Sequence, residues 1–382
     1  MIDFAWTEDQ VQLRRAVVEL ARTQLNDGIQ QRDRDGEFHR DGWKRCAEFG
    51  IHGLPIPVEY GGTGLDPLTT AGVLERLGYG CQDNGLVFSI NAHMWTAAIP
   101  LVDFGTEEQK QRYLPGLCSG ELIGGNAKSE PGSGSDAYSL ATTAVRRGDR
   151  YVLNGSKVFV TNGTIADVVV VFATTDRERG PNGISCFLVE TNRPGFVVSR
   201  KLEKMGLRTS PMAELFFEDC EVPVESRLGQ EGNGKNLFTH SMTWERSFIL
   251  ANAVGAMERL LETCIRHAKI RKQFGQSIGK FQLVSAMIVD MKRRLEESRA
   301  ALYRTAWLRA KGRNVFLDAA LAKLTISDNW VRCAEAAVQV FGGYGYMTEY
   351  DVERELRDAV GSKLYSGTSQ IQTVLVGALL GL

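Results

Sequence analysis

The chain is short of several things, and each shortage removes a class of function. It has no surplus of charge: 45 Lys and Arg stand against 46 Asp and Glu, a net charge of −1. That balance gives no electrostatic footprint for nucleic acid. Its seven cysteines, at 46, 81, 118, 186, 220, 264 and 333, are scattered and form no C-x-x-C pair. A disulfide framework or a zinc site is therefore not expected, no metal is called for, and a cytoplasmic, reducing setting fits. The five histidines are equally dispersed; His93 and His240 are the two that could line a cleft, and isolated histidines are more often structural. The terminal apolar run IQTVLVGALLGL, at 12 residues, is too short to span a bilayer and reads as the end of a buried helix, so no membrane association is expected. The opening MIDFAWTEDQ carries no charged-then-apolar signal pattern. No GxGxxG follows a strand, so NAD is not supported. The glycines of Tyr60-Gly61-Gly62-Thr63-Gly64 lack the strand and Lys-Ser/Thr of a phosphate cradle and read as turn chemistry. There is no internal repeat.

What is present is an ordinary globular composition, 43% hydrophobic and 24% charged over 382 residues, enough for more than one packed unit. The patterning changes twice. Thr7 can cap a helix with Gln10 reaching back, and Val11, Ala16, Val17, Leu20 and Ala21 follow at helical spacing. An irregular loop around Pro55 and Pro57 comes next, then helical stretches over Leu68 to Tyr79 and Leu86 to Phe104. From Ile123 to Leu228, β-branched runs alternate with glycine and asparagine, as in Tyr151 to Gly155, Val168 to Phe172, Cys186 to Val189 and Phe196 to Val198. The last third holds three long proline-free amphipathic stretches: Leu237 to His267, Gln282 to Lys311 and Val315 to Phe341. In the second, Leu283, Met287, Met291 and Leu295 mark the apolar stripe. The expected class is α+β: an N-terminal helical domain (1–122), a middle β-sandwich or barrel domain (123–230) and a C-terminal helical bundle (231–382).

Five motifs carry chemistry. Asn126 to Asp136 reads NAKSEPGSGSD, a tight glycine loop that can bring backbone N–H groups close to a planar ring. Lys157 to Gly163 reads KVFVTNG. Arg271 to Gly275 reads RKQFG, with Phe281-Gln282 after a turn, and Gln339 to Gly343 reads QVFGG. Leu364 to Gln372 reads LYSGTSQIQ. In this order they resemble the acyl-CoA dehydrogenase superfamily across essentially the whole chain. The resemblance implies FAD as cofactor. It assigns Ser129 to a contact with the flavin ring and Ser135 to the neighbourhood of the thioester tail. Phe159 is to stack beside the ring and Thr161 to bond near flavin N5. Arg271 is to face the pyrophosphate of a neighbouring subunit, with Phe274 and Gln282 nearby. Gln339, Gly342 and Gly343 are a second inter-subunit dinucleotide contact, and Thr368 and Gln370 belong to the same set. Asn126 stands where the family usually has an aromatic residue. A homo-oligomer, dimeric at least and expected as a dimer of dimers, follows from these shared contacts.

At a second position the chain departs from the usual pattern. The C-terminal motif normally carries the glutamate that removes the substrate α-proton, and here it carries Ser366. An alcohol is far too weak a base for a carbon-bound proton near pH 7. In a minority of the superfamily, the isovaleryl-type enzymes among them, the base sits on another helix, and Glu245 of Trp244-Glu245-Arg246 matches that place. The bland alternative for Glu245 is an ion pair with Arg246 along the helix. Ser366 keeps its backbone N–H, so the thioester oxygen can still be stabilised there, with Gly367, Arg246 and Ser135 at the substrate. W-E-R together with Y-S-G-T is similar to the prolyl-carrier-protein dehydrogenases of pyrrole- and pyrroline-forming pathways. That similarity implies a prolyl thioester on a phosphopantetheine arm, an acyl or peptidyl carrier protein as partner, and oxygen or an electron-transfer flavoprotein as electron acceptor. Lys201, Lys204, Arg208, Arg293 and Arg294 are candidates to meet an acidic carrier. The rival readings are a short- or branched-chain acyl-CoA dehydrogenase using the same Glu245, a flavin oxidase or monooxygenase on this fold, and a non-catalytic FAD-binding protein.

Overall fold

The computed structural model describes residues 5–382, so the domain expected over 1–122 begins outside the described residues. Its first part holds α1 (Glu8–Gln24), α2 (Ile29–Asp35), α3 (Arg40–Glu48), α4 (Pro67–Gly80), α5 (Asn84–His93), α6 (Ile99–Phe104) and α7 (Glu107–Ser119). Thr7 caps α1 with both halves of the capping box formed, Gln10 N–H on Thr7 Oγ1 at 3.3 Å and Thr7 N–H on Gln10 Oε1 at 3.0 Å. A π-turn, Met94–Ala98, joins α5 to α6. The cause lies in Pro100, which lacks an N–H and leaves the Thr96 carbonyl without its ordinary partner. Asn126 Nδ2 donates to that carbonyl at 3.0 Å. The run Asn84–Phe104 is long and apolar enough to cross a membrane, with mean hydropathy 1.3 over its most apolar 18 residues, but 89% of that stretch is buried inside the protein.

The middle part holds β1 (Gly124–Ala127), β2 (Thr143–Arg147), β3 (Arg150–Thr161), β4 (Val168–Thr174), β5 (Ile184–Glu190), β6 (Phe196–Lys201), β7 (Met212–Pro223) and β8 (Arg227–Leu228). They form one sheet in the order β6-β7-β3-β2-β4-β5-β8, with β1 parallel to β4. The sheet folds over itself at β2, which pairs along its length with β3 but meets β4 only at Thr143–Thr174. Tyr151 on β3 therefore meets Phe187 on β5 across the interior, ring centroids 4.9 Å apart. The continuous apolar runs of β4 and β5 follow from burial on both faces. Val169 and Val171 point into this β core, while Val168, Val170 and Phe172 point into the larger core shared with the helices.

The last part holds α8 (Gly234–Phe248), α9 (Ala251–Ile270), the short pair β9 (Lys272–Gln273) and β10 (Gln276–Ser277), then α10 (Gln282–Ala310), α11 (Phe316–Phe341), α12 (Val352–Gly361) and α13 (Ser369–Leu379). Two expectations need correction. The stretch Leu237 to His267 is not one helix: it breaks at Leu250, whose φ of −106° and ψ of 12° leave the helical region. The direction of α9 is set by backbone contact with α4, where a Cβ on Gly78 would lie 2.0 Å from Asn252 O and one on Gly255 1.9 Å from Glu75 O. Propensity cannot reveal such a tertiary demand. The C-terminal run does form a helix, α13, but not a buried one: Val374 is 65% and Leu382 95% exposed. Leu283 in the stripe of α10 is also exposed, while Met291 and Leu295 are buried. These apolar positions lack a cover within one chain.

Candidate active site

The structure brings Glu245 and Ser366 together. Ser366 Oγ donates to Glu245 Oε1 at 2.5 Å, joining α8 to the turn that precedes α13. Glu245 is half-buried. Burial is the largest influence on its carboxyl and raises its pKa, against lowering by the Ser366 hydrogen bond and by the charges of Arg246 and Lys323. The ion pair with Arg246 is not formed; Arg246 Nε instead donates to Ser366 O at 3.4 Å. Ser366 and Gly367 are both left-handed, φ 58° and 85°, a conformation that costs a serine about 1–2 kcal/mol. Their carbonyls are held by Gln372 Nε2, at 3.0 Å to each, and by Lys323 Nζ at 2.7 Å to Gly367 O. The turn's acceptors are thus tied down, and the Ser366 N–H donates to no described group. Beside it Tyr365 packs on Phe88, ring centroids 4.5 Å apart.

The two β motifs are locked to one another by a buried ion pair, Lys157 Nζ to Glu130 Oε1 at 2.7 Å. Glu130 also accepts from the N–H groups of Ala141 and Thr142, which closes the loop after NAKSEPGSGSD. A β-bulge between Lys157 and Val160 leaves Phe159 at φ 59° with its ring 65% exposed. Ser129 and Thr161 are half-buried with no bond from either hydroxyl, and Ser135 lies exposed in the loop. Asn162, left-handed at φ 64°, donates to Ser89 O and Gly124 O, fixing the end of β3 against α5 and β1. Asn126 is committed to the Thr96 carbonyl, so its amide has a structural duty beside any contact with a flavin.

The RKQFG and QVFGG segments lie side by side. The Arg271 guanidinium sits 5.3 Å from the Tyr344 ring, and His267 stacks on Phe341 at 4.0 Å. Phe274, with φ 50°, is 93% exposed and touches Phe281, next to Gln282. Gly342 and Gly343 would give a Cβ open space. Gln339 is exposed. No described contact joins this group to Glu245, so within one chain it forms a separate surface. Thr368 accepts from Ile371 N–H as the cap of α13. Gln370 lines a cleft of about 440 Å³ with Leu324, Asp328, Lys363 and Ser369, and the buried Ser369 hydroxyl there has no partner. Exposed rings, bare glycines, a stacked arginine and an orphaned hydroxyl fit the needs of an aromatic dinucleotide such as FAD.

Other expectations fare differently. His93 is wholly buried, bonded to Gly124 N–H and Leu117 O, with its pKa lowered to about 4 by burial. His240 pairs with Asp103 at 2.6 Å on the surface. The basic residues proposed to meet a carrier are not a free patch: Arg293 and Arg294 pair with Asp290, and Lys204 is bonded to Ser210 O. Lys323 and Gln372 escaped notice in the sequence. Both signals were there: Lys323 falls on the buried face of α11 between Ala319 and Ser327, and Gln372 is the inward residue of GTSQIQ.

Comparison with known proteins agrees with this geometry. Residues 7–121, 125–220 and 232–380 match the descriptions "Acyl-CoA dehydrogenase, N-terminal domain", "middle domain" and "C-terminal domain". The chain belongs to the acyl-CoA dehydrogenase family. It is 45% identical over 341 residues to an L-prolyl-(peptidyl-carrier protein) dehydrogenase of Pseudomonas fluorescens, covering 89% of this chain and 90% of that one. It is similar to the crystal structure of the prolyl acyl carrier protein oxidase AnaB, with a TM-score of 0.98, 52% identity, and coverage of 99% and 100%. The structure of PigA with FAD and proline matches with a TM-score of 0.97 and 39% identity over the full length of both chains.

Proposed function

We propose that this protein is an FAD-dependent dehydrogenase of a prolyl thioester tethered to a carrier protein, with Glu245 as its base. The observation that carries the reading is the Glu245 carboxylate, hydrogen-bonded to a serine that occupies the family's usual base position. Bound FAD supplies the hydride acceptor. Ser129, Phe159, Thr161, Thr368 and Gln370 would hold it from one chain, and Arg271, Phe274, Gln282, Gln339, Gly342 and Gly343 from a neighbour. The Ser366 N–H, free of any other partner, polarises the thioester oxygen and makes the α-proton removable. Glu245 takes that proton at its carboxylate; burial raises its basicity towards the working pH. Arg246 holds the Ser366 carbonyl so that the amide faces the substrate.

The relatives' names, a prolyl-carrier-protein dehydrogenase, a prolyl carrier oxidase and PigA with proline, support the substrate class. The partners are a carrier protein, a second copy of this chain covering the exposed Leu283, Phe274 and Val374, and oxygen or an electron-transfer flavoprotein as acceptor. Seven buried free cysteines support a reducing, cytoplasmic setting. The test is mass spectrometry of the carrier arm after incubation with enzyme. Loss of two or four hydrogens from the prolyl group supports the reading. An unchanged prolyl carrier alongside oxidised isovaleryl-CoA replaces it with a branched-chain acyl-CoA dehydrogenase.

A further inference from the structure

Lys323 is the one fully buried amine beside the Glu245–Ser366 pair among the described residues, and none of the motifs accounts for it. It is 0% exposed, and among the described residues its ammonium is bonded to a carbonyl and to no carboxylate. Its bond is to the Gly367 carbonyl at 2.7 Å. A lysine spends a large desolvation cost to sit there, and a carbonyl alone is a poor return unless its position matters. What that carbonyl fixes is the left-handed Ser366–Gly367 turn. At φ 85°, with a Cβ there lying 2.7 Å from Gln372 Nε2, position 367 suits glycine, and the turn keeps its shape through the bonds to its carbonyls. Gln372 Nε2 also holds this carbonyl, at 3.0 Å, so loss of Lys323 removes the shorter and charged of its two anchors at the residue next to Ser366.

We infer that Lys323 is a positioning residue for this reaction: by anchoring the Gly367 carbonyl it keeps Ser366 left-handed, with its hydroxyl on Glu245 and its N–H free for the thioester oxygen. The inference rests on the proposed role of Glu245. A second effect runs through space. Burial lowers the Lys323 pKa to about 7 while Glu245 raises it, and Lys323 in turn lowers Glu245. The charged or titratable groups facing this pair are Arg246 from α8, and Tyr365 from the turn's own segment. Arg246 lowers the Lys323 pKa, against Glu245, and lowers that of Glu245, in the same sense as Lys323. With Lys323 charged, the Glu245 carboxylate is available at lower pH than burial alone would allow.

The experiment compares Lys323→Met, Lys323→Gln and Lys323→Arg as flavin-loaded full-length proteins. Glutamine keeps a donor for the carbonyl and removes the charge, methionine removes both, and arginine keeps both. Two readouts are taken: steady-state turnover against pH with prolyl-loaded carrier protein and a saturating electron acceptor, and the Glu245 carboxyl titration by ¹³C-glutamate NMR, assigned by its loss in Glu245→Gln. The NMR readout needs no substrate, so it separates this inference from the substrate assignment. In the methionine variant we expect kcat to fall about tenfold or more with KM little changed, and the carboxyl titration to move to higher pH. The glutamine variant shows the same titration shift with most of the kcat retained, and arginine restores both. Should methionine prevent folding, glutamine decides. Folded glutamine and methionine variants with native flavin content, and with wild-type titration and kcat, overturn the inference.

Discussion

The hydroxyl of Ser366 and the carboxylate of Glu245 face one another across 2.5 Å, one from the turn before α13 and the other from α8. The position that usually carries the family's base here donates to the carboxylate proposed as the base, on a different helix. Serine at 366 is therefore not a gap. Its hydroxyl partly stabilises the charged form of a carboxyl that burial pushes the other way.

Glu245→Gln should fold and retain FAD but lose at least about a hundredfold in turnover, the scale of general-base catalysis. The amide keeps an acceptor for Ser366, so geometry is preserved while the proton acceptor is lost. Steady-state turnover and flavin absorbance, measured on the same preparation, check this. A turnover close to wild type contradicts the assignment.

Ser366→Ala removes a bond that favours the carboxylate. The Glu245 pKa, already raised, should rise further, so the carboxylate becomes available only at higher pH. The rising acid limb of kcat against pH then moves upward, and rates at alkaline pH stay near wild type. A downward or absent shift contradicts the described hydrogen bond as a tuner of the base.

Arg271→Ala should leave the Glu245 chemistry intact and weaken retention of FAD about tenfold or more, the scale of a charge-assisted hydrogen bond. The ratio of flavin to protein absorbance after gel filtration reads this. Unchanged retention removes Arg271 from the cofactor set.

Lys157→Met leaves Glu130 buried without its cation. Such a loss costs about 3–5 kcal/mol, seen as a lower urea midpoint. The loop that Glu130 organises should become protease-sensitive. Lys157→Arg should recover less than the whole, because the pocket is closed around an ammonium.

The helical and β regions were legible in the sequence because periodicity and turn residues are local, and Thr7 with Gln10, three positions on, spells out its cap. The pairing of Glu245 with the Ser366 position was legible only through resemblance, since the two are 121 residues apart. The break at Leu250 was not readable: no glycine or proline marks it, and its cause is the backbone contact of α9 with α4. The exposure of α13 was equally hidden, because an apolar helix reads as buried whether its cover comes from its own chain or another. Lys323 was overlooked because a lone lysine in a helix is ordinarily a solvated charge, and only its register against Ala319 and Ser327 says otherwise.

The central claim is tested most directly by anaerobic mixing of the FAD-loaded protein with prolyl-loaded carrier protein, in parallel with isovaleryl-CoA, while the flavin absorbance is followed. Bleaching by the prolyl carrier, absent in Glu245→Gln, is the predicted result. Bleaching by isovaleryl-CoA alone, or equal bleaching in the Glu245→Gln variant, would contradict it.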